Sequence, residues 1–125
     1  MDTFWSDYFA NYAKCYDDFD AERLGNYFYV PTVNVKNGTV STITSVEELA
    51  ASLKSMLTGY KEHGYKKGNV IDVQIMEMGK WSVLVTVHWV IDKTDGAILR
   101  DFKSSYNMFK DGDTWKIAAT TNHDL

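Results

Sequence analysis

One cysteine, Cys15, stands in 125 residues, so no intrachain disulfide forms and a reducing cytoplasm is the expected compartment. No apolar run approaches the roughly 20 residues of a membrane-spanning helix. The opening Met-Asp-Thr-Phe-Trp-Ser-Asp has neither the basic start nor the apolar stretch of a secretory signal. Without such a signal, Asn37-Gly38-Thr39 reads as a turn and not as a glycosylation acceptor. Lysine and arginine form no cluster, and 13 of them against 17 Asp and Glu leave a net charge of -4 with a pI near 5.2. That balance argues against a nucleic-acid surface, where clustered cations meet phosphates. Gly59, Gly64 and Gly68 are too scattered for a phosphate-binding loop, and Cys15 with His63, His88 and His123 lacks metal-ligand spacing. No cofactor or metal is therefore expected. There is no linker, internal repeat or low-complexity segment, which predicts one domain over residues 1–125.

What the chain has is aromatic rings, 14% of its residues. Trp5, Phe9, Tyr12, Tyr16 and Phe19 recur at steps of three and four, with Tyr8 beside Phe9, and form one stripe along a helix over residues 3–19 with Thr3 as its cap. Asp17, Asp18 and Asp20 oppose the dipole at that helix's end, so a second helix begins there, capped by Asp20 and running from Ala21 to about Phe28. Pro31 ends it. Thr32–Lys36 and Thr39–Thr44 flank Asn37-Gly38, a strong hairpin signal. Ser45-Val46-Glu47-Glu48 is a capping box opening a third helix to about Lys61, with Val46, Leu49, Leu53, Met56 or Leu57, and Tyr60 as its apolar stripe and Gly64 as its stop. Asn69–Met78 reads as a strand.

From Trp81 onward the period is two. Trp81–Asp92, Ala97–Lys110 and Asp113–Asn122 are three strands joined by Asp95-Gly96 and Asp111-Gly112 turns. Pairing Asp92 with Ala97 and Lys110 with Asp113 puts Trp81, Val83, Val85, Val87, Trp89 and Ile91 on one apolar face. The same face takes Ile98, Arg100, Phe102, Ser104, Tyr106 and Met108, then Trp115, Ile117, Ala119, Thr121 and His123. Its polar members need partners or water, since burying one unpaired costs about 1–3 kcal/mol, and a cavity at that end would supply them. On the opposite face Leu84, Thr86, His88 and Val90 lie beside Asp101, Lys103, Ser105, Asn107 and Phe109, then Lys116, Ala118, Thr120 and Asn122, a mixed surface suited to a subunit contact, with His88 facing Asp101.

The order helix, short helix, hairpin, helix, then four antiparallel strands resembles the nuclear transport factor 2-like superfamily, which includes SnoaL-like cyclases and ketosteroid isomerases. The phrases that carry the resemblance are Asp20, Arg23, Leu24, Tyr27-Phe28-Tyr29-Val30 after the first helix, Asp95-Gly96 in the long hairpin, and Gly112-Asp113-Thr114-Trp115-Lys116-Ile117. The resemblance implies an α+β, cone-shaped fold in which a strongly curved, mainly antiparallel sheet wraps around three helices from the N-terminal half. It also implies a pocket at the wide end and homodimerisation through the outer sheet face. It does not carry over a reaction. Where ketosteroid isomerases place a carboxylate base, this chain has Thr32, Val33, Asn34 and Val35. Arg100 and Asp101, adjacent on one strand, point to opposite faces and so break the bridged-aspartate pattern of limonene epoxide hydrolases.

Three readings follow. The first is a protein that binds a small apolar or weakly acidic molecule, with Tyr12, Tyr16, Trp89, Phe102, Ser104, Tyr106 and Thr121 around it and Arg100 and His123 at its polar end. The second is an isomerase, cyclase or dehydratase using His123 as general base and Tyr16 or Tyr106 as acid in the same pocket. The third is a dimeric accessory module acting through its outer face. Beside these stand plainer roles: Arg100 paired with a carboxylate such as Asp20, tyrosines satisfied inside the core, and His123 merely exposed near the chain's end.

Overall fold

A computed structural model describes residues 3–124. Three helices, α1 (Phe4–Asp17), α2 (Ala21–Gly25) and α3 (Val46–Glu62), accompany six strands. These are β1 (Phe28–Lys36), β2 (Thr39–Ile43), β3 (Tyr65–Met78), β4 (Ser82–Lys93), β5 (Ile98–Asp111) and β6 (Thr114–Asp124). They form one mixed sheet in the order β2-β1-β6-β5-β4-β3, in which β1 runs parallel to β6 and every other pair is antiparallel. This is the α+β architecture expected, with its curved sheet left unclosed.

Local chemistry sets the helix boundaries. Asp20 caps α2 by accepting from the Arg23 amide at 3.1 Å. Ser45 caps α3 by accepting from the Glu48 amide at 3.1 Å, and Glu48 reaches back to the Thr44 amide rather than to that of Ser45. Thr3 precedes α1, but its hydroxyl donates to Asp7 instead of capping the helix. The second helix is shorter than expected because Phe28–Val30 already belong to β1, with Pro31 inside that strand. Asn37 and Gly38 both take positive φ, 51° and 79°, as a tight hairpin reversal requires.

The core is the aromatic stripe of α1 against β4 and β5. Phe9, Leu24, Val85, Val87, Met108 and Ile117 are fully enclosed. Phe9 stacks on Tyr106 with centroids 4.6 Å apart and meets Trp89 edge-on. Leu49, Leu53 and Leu57 bring α3 to the same cluster. Trp81, Ile98 and Val46 are exposed instead of buried; Trp81 and Ile98 sit at the ends of their hairpins and Val46 at the first position of α3.

Two bulges correct the expected registers. Between β4 and β5, Ile91 pairs with Arg100 and Asp92 with Ile98, so Leu99 is the extra residue. Asp92 meets Ile98 instead of Ala97, so the turn adds one residue and the bulge a second; the total displacement is two and the faces survive it. Between β5 and β6, Met108 pairs with Ile117 but Asn107 pairs with Ala119, making Ala118 the extra residue. A one-residue slip exchanges the faces of everything beyond it. Ala119, Thr121 and His123 therefore turn to the outer side, and Thr120 and Asn122 turn inward. The Ala118 carbonyl accepts from the buried Thr32 hydroxyl at 3.0 Å, so β1 fixes the bulge in place.

A second tie holds the other margin of the sheet, where β3 is the edge strand and exposes Ile71, Ile75 and Met76. Asp17, at the last turn of α1, accepts from the Tyr65 hydroxyl at 2.7 Å and from the Gly68 amide at 3.0 Å. A side chain at residue 68 would meet the Tyr65 hydroxyl at 2.8 Å, inside contact distance. Gly68→Ala is expected to push Tyr65 off Asp17 and cost about 1–3 kcal/mol in urea unfolding; an unchanged midpoint would show that this tie carries no stability.

Candidate functional site

Between the concave sheet face and helices α1 and α3 lies a cavity of about 630 Å³, within the roughly 300–1,000 Å³ usual for small-molecule sites. The inward row of β5 provides its axis. Arg100, Phe102, Ser104 and Tyr106 follow one another on that face, alternating as a strand requires. The bulge at Leu99 sets Arg100 opposite Ile91, where Nη1 donates to the Tyr60 hydroxyl of α3 at 2.9 Å. Its guanidinium carbon lies 3.8 Å above the Phe102 ring. Asp20, the carboxylate considered as a partner for Arg100, serves instead as the cap of α2.

At the buried end the phenols hold one another. Trp89 Nε1 donates to the Tyr106 oxygen at 3.0 Å. Tyr16 donates to the Met56 sulfur at 3.9 Å, which leaves Tyr12 as donor in its 3.1 Å bond with Tyr16. Burial pushes the Tyr106 phenol up to about 12, with the hydrogen bond from Trp89 pulling against that rise. Burial raises Tyr12 and Tyr16 further, and neighbouring phenols add to it. These groups stay protonated throughout ordinary pH. They are donors and not bases.

A second polar group lies on β5, β6 and β1. Ser104 donates to Asn122 Oδ1 at 2.8 Å, and Asn122 Nδ2 donates to Asn34 Oδ1 at 3.2 Å. At the rim Lys36 and His63 also line the cavity, the imidazole held by Nδ1–H donating to the Gly59 carbonyl at 2.7 Å.

Of the residues singled out from sequence, Tyr12, Tyr16, Trp89, Arg100, Phe102, Ser104 and Tyr106 line this cavity together. Thr121 and His123 do not. The Ala118 bulge turns them outward, where His123 pairs with Lys103 across the strands and its Nε2 lies 3.0 Å from the Ser105 hydroxyl. The His88 imidazole meets Asp101 at 2.6 Å on that same outer face, as expected. Asn34, Asn122, Tyr60, Lys36 and His63 were missed. The alternation of Thr32, Asn34 and Lys36 along β1 was the available signal. Among the described residues no group of three or more His, Cys, Asp or Glu is placed to hold a metal ion, and no helix is long and apolar enough to cross a membrane.

The sequence matches, over residues 1–125, the family described as NTF2-like protein (DUF6841). The chain belongs to that family. No curated protein matches it. Among solved structures, an NTF2-like protein with a cystatin-like fold from Novosphingobium aromaticivorans superimposes with a TM-score of 0.75 at 16% identity, covering 94% of this chain and 77% of that one. An NTF2-like protein of unknown function from Shewanella oneidensis gives 0.74 at 13% identity, with 90% of each chain covered. The beta subunit of a putative aromatic-ring-hydroxylating dioxygenase from Novosphingobium aromaticivorans gives 0.71 at 18%, covering 96% and 86%. At such identities the likeness shows the cone fold, and this NTF2-like chain shares it.

The buried phenols predict how stability depends on pH. Unfolded tyrosines ionise near 10, whereas Tyr12, Tyr16, Tyr65 and Tyr106 hold their protons to higher pH in the fold. Their contribution is complete below pH 10 and is lost as pH rises beyond it. Urea unfolding is expected to give a constant free energy from pH 8 to about 9.5, then a decline of about 1.4 kcal/mol per pH unit for each phenol. Tyr106→Phe is expected to remove one phenol's share of that slope while costing about 1–3 kcal/mol at pH 8 by leaving the Trp89 N–H without its acceptor. A flat profile to pH 11 would contradict the burial of these groups.

Proposed function

We propose that this NTF2-like chain is a small-molecule-binding protein whose cavity takes an apolar ligand with an acidic end. The observation that carries the reading is a contrast of charge. Asp and Glu outnumber Lys and Arg over the whole chain, yet among the described residues no carboxylate lines the cavity, while Lys36 and Arg100 do. A guanidinium stacked on an aromatic ring suits a carboxylate attached to an apolar body. Leu49, Leu53, Phe28, Trp89 and Phe102 supply the apolar walls.

The enzyme reading loses support by the same geometry. His123, its general base, lies on the other side of the sheet from the tyrosines meant as acids. For the outer face, partly buried Leu84, Val90 and Phe109, on the same side of the sheet as the His88–Asp101 pair, favour contact with a second copy of the chain.

Calorimetric titration with 2-naphthoate, a planar apolar acid, tests the first reading. The wild-type protein is expected to bind it. Arg100→Met is expected to weaken binding at least tenfold, the range of a lost charge-assisted hydrogen bond, and His123→Ala to leave it unchanged. Absence of binding, or an Arg100→Met protein that binds equally well, would refute the reading. For the outer face, light scattering on Val90→Lys and Phe109→Lys should show a dimer reduced to monomer; a mass unaffected by both substitutions would exclude that surface.

A further inference from the structure

The cavity has a second polar pole whose donor pattern is set by its own hydrogen bonds, and resting on the binding reading above, we infer that the ligand carries a hydrogen-bond acceptor at the end of its body remote from the acid. The argument starts from donor counting. Ser104 gives its proton to Asn122 Oδ1, and Asn122 gives one of its own to Asn34 Oδ1. Each link uses an acceptor and passes a donor onward, so the chain ends in the amide nitrogen of Asn34. Its two protons have no protein partner among the described residues, and the residue lines the cavity. A side-chain amide has two donors on nitrogen and two acceptor sites on oxygen; here the oxygen is engaged and the nitrogen faces the ligand space. Aligned hydrogen bonds polarise one another, which strengthens that terminal donor.

The placement of this pole fixes the shape of what fits. Arg100 and Ser104 are four residues apart on one face of β5, about 13 Å at the strand rise, with Phe102 between them and stacked under the guanidinium. Asn34 lies further across the sheet, on β1 beside Thr120 of β6. A ligand that meets both poles lies along the Phe102 and Trp89 rings with its acid toward Arg100 and its acceptor, a carbonyl or ether oxygen, toward Asn34. The ligand class is thus a flat, apolar acid with a remote oxygen acceptor, such as a keto-substituted aromatic or polycyclic carboxylic acid. A ligand with a remote donor would meet the Asn34 amide hydrogens head-on and leave them unpaired, which costs affinity.

Four naphthalenes compared by calorimetry on the whole chain test this. They are 2-naphthoate, 6-acetyl-2-naphthoate, 6-amino-2-naphthoate and 2-acetylnaphthalene. The wild-type protein is expected to bind 6-acetyl-2-naphthoate roughly fivefold more tightly than 2-naphthoate, the range of one added neutral hydrogen bond, and to gain nothing from the amino group. Asn34→Leu is expected to erase the acetyl advantage, bringing the affinities for 6-acetyl-2-naphthoate and 2-naphthoate to parity. Arg100→Met is expected to erase the advantage of 6-acetyl-2-naphthoate over 2-acetylnaphthalene. Equal affinities for acetylated and plain naphthoate, an acetyl advantage that survives Asn34→Leu, or a gain from the amino group overturns the second pole and leaves the binding reading standing. Failure of all four to bind overturns both. The wild-type series is decisive even where Asn34→Leu does not fold.

Discussion

The hydrogen bond from Thr32 to the Ala118 carbonyl decides which residues this protein turns inward. A bulge in β6 leaves one carbonyl out of the ladder, and an unpaired carbonyl at a buried position is costly. Thr32, itself buried on β1, satisfies it. The parallel β1–β6 pair thereby locks the slip in β6 that brings Thr120 and Asn122 inward and sends Thr121 and His123 out. Without the slip, the inner surface of β6 would present a threonine and an imidazole; with it, that surface presents a threonine and an amide. The proton-transfer potential of the cavity is thus set by backbone geometry one strand away.

The two sides of the cone solve the problem of buried polarity differently. Along α1 and β5 the phenols, the Trp89 indole and the Met56 sulfur satisfy one another within the aromatic cluster, and among the described residues no buried side-chain polar atom is left without a partner. Along β1 and β6 the amides form an open chain that ends at the cavity. Asp17 adds the third element, gripping Tyr65 and Gly68 so that the edge strand β3 cannot drift away from α1. Helix α1 is thereby held to the β3 margin, while the opposite margin is held strand to strand by Thr32 and the Ala118 carbonyl.

Much of this was legible in the sequence. The aromatic stripe of α1, the Asp20 cap, the Ser45 box, the Asn37-Gly38 hairpin and the strict alternation of β4 all rest on local chemistry, and each lies where periodicity puts it. Arg100, Phe102, Ser104 and Tyr106 kept their face because the turn before β5 and the Leu99 bulge each shift the register by one residue, an even total. His123 and Thr121 lost theirs because the Ala118 bulge displaced it by an odd one. Nothing local marks Ala118: it is a small residue in the run Ile117-Ala118-Ala119, and its partner Thr32 is 86 positions away. Non-local backbone pairing, and not side-chain pattern, was the missing information. Asn34 was visible but was weighed only as a carboxylate that was not there.

The separation of charge between surface and cavity has a kinetic side. On the binding reading proposed above, an acidic ligand at a distance would meet a molecule of net charge -4 and be repelled, and only within a Debye length of the rim would it experience Lys36 and Arg100. Capture is then a matter of crossing a weak outer barrier into a short-ranged attractive mouth. Salt lowers that barrier and also weakens the inner attraction, so arrival and residence respond to ionic strength in opposite senses. On that reading the cavity would favour anions whose apolar body can stay bound after the field that admitted them has been screened.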